Sequence, residues 1–396
     1  MALGTAFDGF FSRLGGGHNS DTVSKYLSGS QLALARKLIS SGIVSLANQS
    51  WKVSHVFLSG ETSYPQLYMM KATEKYDADI KKINEELKRA ARLKSYEEFA
   101  SRADQILPRL FAPSVEGLEI LREALALQLF AHDPVHILCL ADPQVGVGTL
   151  CESAITYHPV FCNCDVSKLS AESDLWQGSD GNSPGVLASA HQGIICLQHF
   201  EKLTSDQRAA VLKVIDRGYL AFKKDGATTH TPVNCRVLGV VHPLVDSFVG
   251  KDAGLIKQQV PFDFSLLSQF HLTFLIQRAS LLRFADPQLS PLVQPSTNPL
   301  TLPLIDEDLA FIREFVSMAE DRDVLFPKTF QPLIVEWTSK LKSRRQISYL
   351  QEVTPNTIIA LIRLSQARAR MKWRNEVSLE DLKAAMDIVQ IGLEIR

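Results

Sequence analysis

HILCLADPQVGVGTL, residues 136–150, is the stretch whose reading decides the fold. An apolar run ends in Ala141-Asp142-Pro143, and two glycines follow, Gly146 and Gly148, before the chain turns apolar again. This is the order of a buried strand running into a phosphate-binding loop. Such a loop needs glycines that let backbone N–H groups close around phosphates, a lysine to neutralise their charge, and a Ser or Thr hydroxyl for Mg²⁺. The glycines are present, but Val147 stands where the lysine belongs and Gly148 where the hydroxyl belongs. Sliding the register by one residue puts Thr149 at the hydroxyl position and Gly148 in place of the lysine. No register works, because no Lys or Arg occurs between Arg122 and Lys168. Taken alone, the pattern also fits a strand-to-helix turn that holds no ligand.

Further apolar runs recur outward from this stretch. GIICLQHF (193–200), CRVLGVVH (235–242) and FHLTFLIQ (270–277) read as strands, like VHILCLA (135–141). Helical patterns, such as LTSDQRAAVLKVIDRG, lie between them. Short apolar runs alternating with helices predict a parallel sheet covered on both faces. GYLAFKKDGATTHTP (218–232) reads as a β-hairpin turning at Asp225-Gly226. Upstream, FAPSVEGLEILREALALQLFA (111–131) leads into an amphipathic helix, preceded by charges at helical spacing from Lys75 to about Leu107. Residues 31–47, QLALARKLISSGIVSLA, have helical periodicity, and 51–72 reads as two short strands around a Gly turn. After a connector over 284–303 carrying five prolines, the chain reads as helical to its end, with Ser378 and Asp381 as an N-terminal cap.

Bulk properties exclude several classes. The net charge of −1, with 45% apolar and 21% charged residues, gives ordinary globular composition and no global basic field for nucleic acid. No apolar run approaches the ~18–20 residues a membrane helix needs, so no membrane association is expected. The start, MALGTAFDGFFSRLGGG, lacks a basic n-region and carries Asp8, so a secretion signal is not expected. None of the six cysteines forms a CxxC pair. They read as reduced, mostly buried thiols of an intracellular protein, and Cys162-Asn-Cys164 reads the same way rather than as metal ligands.

Six segments in order resemble the minichromosome maintenance (MCM) family of AAA+ replicative helicases over roughly residues 76–396. They are FAPSVEGLEILREALALQLF with the charged stretch before it, HILCLADPQVGVG, GIICLQHFEKL, NCRVLGVVHP, LLSQFHLTFLI and IIALIRLSQARARMKWRNEVSLEDLKAAM. The resemblance implies an α/β fold: an AAA+ P-loop-type parallel sheet core with helices on both faces, a C-terminal helical lid and a short mixed α/β N-terminal region. The expected boundaries are 1–75 for a reduced N-terminal region, 76–107 for a charged helical linker and 108–283 for the core. The Pro-rich connector follows at 284–303 and the lid at 304–396. Residues 51–72 resemble the tail of the family's N-terminal β domain, whose zinc-binding cysteine pairs are absent here.

The resemblance also implies a nucleotide site whose scaffold remains while its polar groups differ. Asp142, Pro143 and Gly146 keep the shape of the loop. Val147 and Gly148 stand at the lysine and serine, Gln198 and His199 at the acidic pair that positions Mg²⁺ and polarises water. His242 stands at the asparagine that orients the water, Gln269 at the arginine finger and Asn356, after Thr354-Pro355, at the lid arginine. Phosphoryl transfer is positioning plus charge stabilisation, and an arginine finger alone supplies about 10³–10⁵ in rate. Each lost charge-assisted contact to phosphate costs about 1.5–3 kcal/mol. Absent ATPase activity and weak or absent binding of ATP and Mg²⁺ are therefore expected, with no other cofactor.

The function implied is a catalytically inactive MCM-like scaffold or regulator in DNA replication, binding DNA or replication partners, alone or in homo- or hetero-oligomers. The alternative is an ATP-binding subunit that works in a helicase ring with active neighbours. A new hydrolase or metalloenzyme lacks any Ser-His-Asp or Cys-His arrangement beyond spacing. The compartment expected is cytoplasm or nucleoid in an archaeon and nucleus in a eukaryote.

By the resemblance, the hairpin carries Lys223 and Lys224 toward DNA, with Lys224 at the family's position; a solvated hairpin tip is the plain alternative. Residues 168–191 are compatible with the family's second hairpin and carry only one Lys, so no DNA role is assigned to them. Lys340, Lys342, Arg344, Arg345, Arg368, Arg370, Lys372 and Arg374 read as a solvated helix face rather than a patch for phosphates or for a partner's acidic face. His199, His242 and His271 accumulate at the expected site. With Asp142, the first two would suit Zn²⁺ at about 2.0–2.2 Å, but neutral histidines filling a vacated pocket are the expectation, and no metal is assigned.

Overall fold

The computed structural model describes residues 44–47, 50–53, 92–115, 117–178, 181–224, 227–278, 306–343 and 349–395. The chain divides into two compact units, Met1–Glu98 and Phe99–Arg396. In the first, β1 (Val44–Ala47) and β2 (Ser50–Val53) pair antiparallel, with Val44 opposite Val53 and Ala47 opposite Ser50. The helix expected over 31–47 is thus overturned at its end. Val44, Leu46, Trp51 and Val53 alternate at period two about a two-residue link, which favours a hairpin over one more helical turn. The rest of the helical expectation, the strand expected beyond Val53 and the Pro-rich connector lie outside the described residues. The charged stretch is helical over 92–100.

The second unit is built on five parallel strands: β3 (Ile137–Ala141), β4 (Phe161–Asp165), β5 (Ile194–Gln198), β8 (Arg236–Val241) and β9 (Leu272–Ile276). Their order across the sheet is β4-β5-β8-β3-β9. Every residue of β3, β5 and β8 is buried. That is why they read as continuous apolar runs, since a parallel strand covered on both faces has no polar side to alternate with. The chain leaves β3 for the edge at β4, returns through β5 and β8, and crosses to β9 on the far side. β3 is therefore the switch point, and the crevice beyond the carboxyl ends of β3, β5 and β8 is where such sheets hold ligands.

Helices α1 (Ala103–Leu110), α2 (Glu119–Leu129), α3 (Val147–Ile155), α4 (Val186–Ser189), α5 (Ser205–Arg217) and α6 (Ala253–Lys257) complete this core. β6 (Tyr219–Lys224) and β7 (Ala227–Pro232) form the expected antiparallel hairpin. Among the described residues between 168 and 191 the chain makes a short 3₁₀ turn, an antiparallel bridge, Gln177 to Pro184, and the short helix α4.

Among the described residues four helices make the lid: α7 (Asp306–Glu320), α8 (Gln331–Ser343), α9 (Pro355–Met371) and α10 (Leu379–Leu393). α9 and α10 pack on each other and on α2, and α10 also packs on β9. The expected cap forms: Ser378 Oγ accepts the Asp381 N–H at 3.3 Å, and Asp381 Oδ2 accepts the Ser378 N–H at 2.9 Å. The basic cluster is only partly the solvated face expected. Lys340 pairs with Glu336 on an exposed surface at 2.6 Å. Arg370 is buried and donates to Arg322 O at 2.9 Å. Arg368 and Lys372 share Asp104, at 3.3 and 2.8 Å, and Arg374 meets the fully buried Asp381 at 2.6 Å. The correction has a simple cause: the acidic partners of α9 come from α1 and α10, which helical spacing within α9 cannot reveal. Arg344 and Arg345 lie outside the described residues.

His271 also lies away from the site where it is expected. It stands at the start of β9, at the amino-terminal edge of the sheet, beside His136 at a ring separation of 5.0 Å. Burial, with Arg363 beside it, pushes His271 down to about 3, and burial next to His271 and Arg363 holds His136 well below the usual histidine range. Between about pH 3 and the ordinary value of 6.5 the unfolded chain binds protons that the folded chain refuses. Stability therefore falls as pH falls below about 6.5, by up to ~1.4 kcal/mol per pH unit per histidine. Urea titrations between pH 7.5 and 5 are expected to show this loss, and His271→Asn to reduce its slope. A flat profile over that interval would contradict the assignment.

All six cysteines are free, and all but Cys162 are buried. Burial pushes the Cys164 thiol up to about 11 and Cys235 up to about 12, which keeps both protonated. Among the described residues no helix is long and apolar enough to cross a membrane.

Candidate functional site

The carboxyl ends of three adjacent strands, β3, β5 and β8, deliver Asp142, Gln198-His199 and His242 to one crevice. After β3 the chain makes a 3₁₀ turn, Pro143–Val145, and reaches Gly146 at φ 80°, ψ 13°. This left-handed backbone is open to glycine at little cost. There the neighbouring loop also approaches closely, because a Cβ on Gly146 would lie 3.0 Å from Val115 Cγ2. α3 begins at once, so its first N–H groups face the crevice with no side-chain cap. The backbone shape of a phosphate loop is thus present.

Its side chains turn elsewhere. Val147 is 1% exposed and belongs to the core. Gly148 lies directly beneath Gln198, whose Nε2 donates to Gly148 O at 3.2 Å and also lies 3.3 Å from Cys196 Sγ. A Cβ on Gly148 would sit 3.0 Å from Gln198 Oε1, so the missing side chain at 148 makes room for the amide from 198. Gln198 is 7% exposed. Gln198 thus packs against the first turn of α3.

Asp142, 3% exposed, is a structural staple. Its Oδ1 accepts the Phe248 N–H at 2.6 Å and its Oδ2 the Arg278 N–H at 2.7 Å. This fastens the loop after β8 and the end of β9 to the end of β3. His199, at φ 57°, turns the chain sharply after β5 and places Nδ1 3.1 Å from Glu201 Oε1. His242 Nδ1 lies 2.9 Å from Ala141 O, and its own N–H donates to Glu201 Oε2 at 3.0 Å. The two imidazoles meet edge to face at 5.2 Å. Asp142 turns its two oxygens to backbone N–H groups, while the two imidazoles are organised by Glu201 and Ala141. Among the described residues no group of three or more His, Cys, Asp or Glu is arranged for a metal.

A second corner gathers the remaining positions. Gln269 ends the 3₁₀ turn Phe264–Gln269 and is exposed. Asn356, at the start of α9, donates its Nδ2 to Ser268 O at 3.0 Å, so Asn356 and the residue before Gln269 come together. Lys223 and Lys224 lie on β6 at the closed end of the hairpin, opposite Thr228 and Ala227. The turn between the strands, 225–226, lies outside the described residues.

Three residues important here escaped the sequence reading. Glu201 organises both histidines, and its acidic character three positions after Gln198 in QHFEKL was a usable signal. Arg278 places Nη1 2.6 Å from Gln144 Oε1, which sets an exposed guanidinium against the loop. Arg122, buried, donates to Pro108 O at 3.2 Å, to Ala112 O at 3.1 Å, and to the carbonyls of Phe111 and Val115. The segment from Pro108 to Val115, the end of α1 and the loop after it, is also held by the Ala112 N–H, which donates to Ser153 Oγ on α3 at 3.0 Å.

A parallel sheet with its switch at β3, a glycine loop opening a helix there and a helical lid define a P-loop-type AAA+ module. The comparisons make the class specific. The family model of the MCM P-loop domain matches residues 91–290, and that of the MCM AAA-lid domain matches residues 310–392. The chain belongs to the MCM family. It is 22% identical over 366 residues to the DNA replication licensing factor mcm7-B of Xenopus laevis, covering 83% of this chain and 47% of that protein. It is 22% identical over 347 residues to the probable DNA helicase MCM8 of Oryza sativa subsp. indica, covering 72% and 44%. An uncharacterized MCM-type protein of Methanocaldococcus jannaschii is 22% identical over 333 residues, covering 75% and 47%. The chain spans about half the length of these relatives.

Proposed function

We propose that this chain is a catalytically inactive MCM protein that serves DNA replication as a scaffold or regulator, binding DNA or MCM-type partners. The observation that carries the reading is the filled crevice: Val147 buried where the family lysine is expected, and Gln198 seated on Gly148 where a hydroxyl and Mg²⁺ are expected. A triphosphate there would have to displace the Gln198 amide and would find no lysine in return. The names of the relatives, licensing factors and probable helicases, support the replication setting. Lys223 and Lys224 on the hairpin supply the proposed DNA contact, and homo- or hetero-oligomers with MCM-type chains the proposed assembly. The nucleus of a eukaryote, or the nucleoid of an archaeon, is the compartment this reading implies.

One observation favours the second reading, an ATP-binding subunit of a mixed ring: Arg278 brings a guanidinium to the loop at Gln144. Titration of a fluorescent ATP analogue with Mg²⁺ separates the two. The first reading expects no saturable binding at micromolar chain and no phosphate release above the blank. Micromolar affinity that Arg278→Ala abolishes would establish the second.

A further inference from the structure

The lid meets the core through an ion network that no part of the candidate site uses. α7 is separated in sequence from β9 by the 27 residues between Arg278 and Asp306, and its seat on the core is read from its contacts. Two charged residues seven apart on α7 make these contacts from one helical face. Arg313 Nε donates to Thr156 O at 2.8 Å and its guanidinium lies 5.4 Å from the centre of the Phe161 ring. Glu320, the last residue of α7, reaches Arg236 Nη2 with Oε1 and lies 3.2 Å from His158 Nε2 with Oε2.

Arg236 is the hub. It opens β8 between Cys235 and Val237, all three buried, with its side chain 3% exposed. Burial drives its pKa down and Glu320 opposes that drop. Its Nε and Nη2 donate to Ala131 O, just beyond α2, at 2.8 and 2.6 Å, and its Nη1 lies 3.0 Å from His158 Nε2. One guanidinium thus ties together the end of α2, the start of β8, the segment between α3 and β4, and the lid. Such a hub is intolerant of losing a partner, because the remaining charge is stranded in a dry site.

The position of this network matters as much as its strength. Arg236 begins β8 and Phe161 begins β4, so the seat of α7 is on the amino-terminal edge of the sheet. Asp142, Gln198, His199 and His242 stand at the carboxyl edge. We infer that the Arg236–Glu320–His158 network fixes α7 of the lid on the core independently of any ligand at the strand carboxyl ends. The inference rests on the reading of an inactive site and extends it: a module that does not cycle nucleotide holds its lid in one pose with its own charges.

Spin labels at Lys213→Cys on α5 and Ser317→Cys on α7, in a Cys162→Ser background, report the core-to-lid distance by pulsed electron resonance. A single narrow distribution is expected, unchanged by Mg-ATP. Glu320→Gln is expected to broaden it and to speed amide exchange across α7 on the order of 100-fold. Arg236→Lys, a milder change, is expected to broaden it less, because an ammonium cannot serve Ala131, His158 and Glu320 together. The apolar pair Arg236→Met with Glu320→Leu is expected to restore one narrow distance, since well-packed hydrophobes replace a buried pair. A distribution that moves with Mg-ATP, or one left narrow in both Glu320→Gln and Arg236→Lys, overturns the inference. ATP binding with an unmoved lid would instead refute the reading of the site and leave this inference standing.

Discussion

Arg122→Ala is expected to lower the unfolding free energy by about 3–4 kcal/mol, because it strands buried carbonyls that cost about 1–3 kcal/mol each when unpaired. The guanidinium serves Pro108, Phe111, Ala112 and Val115 at once. Its own burial, which lowers its pKa against the pull of Glu119, returns part of that cost when the side chain is removed. The effect is local before it is global. Val115 abuts Gly146, so amide exchange should rise over 108–115 and then in the loop leading into α3. Arg122→Lys should recover under half of the loss, since one ammonium cannot match a planar fork of five donors. Urea denaturation of the three proteins measures this. An Arg122→Ala loss below about 1 kcal/mol, the scale of a single ordinary hydrogen bond, would show that the loop is held by something else.

Placing a lysine at 147, where the proposed reading puts the family lysine, is expected to do harm rather than good. Val147 is 1% exposed and its neighbour Gly148 is covered by Gln198. An ammonium introduced there is stripped of water without a phosphate or carboxylate to meet it, at a cost of about 2–4 kcal/mol. Val147→Lys should therefore melt at a lower temperature than the parent and bind no more ATP analogue. Adding Gln198→Asp should recover part of the stability, since a carboxylate in place of the amide gives the ammonium a partner. If Val147→Lys alone binds Mg-ATP with an unchanged melting temperature, the crevice is open and the proposed function loses its main support.

How far these features could be read beforehand depended on their range. β3, β5, β8 and β9 were visible because strands buried on both faces read as unbroken apolar runs. The hairpin was visible in Asp225-Gly226 and the α10 cap in Ser378 and Asp381, each a local signal a few residues wide. The family resemblance implied roles for Val147, Gln198 and Asn356, and the structure shows what each meets: the core, Gly148 and Ser268. What stayed hidden was long-range. Arg236, His158 and Glu320 are spread over more than 150 positions and no periodicity links them. The pairing of Arg368 and Lys372 with Asp104 is hidden for the same reason, and its acidic partner made a solvated face look right when it was not. At 44–47 the error was of another kind: a four-residue apolar segment fits either period, and only its antiparallel partner at 50–53 decides.

The contact between Gly148 and Gln198 has a consequence for the paths open to this chain. A serine at 148 brings its Cβ within 3.0 Å of the Gln198 side chain, and an aspartate at 198 leaves unfilled space over Gly148. Each step toward a metal-holding pair is thus worse packed than the present state until the other has been taken. The two positions are thus epistatic: the packing cost of changing either one depends on what stands at the other.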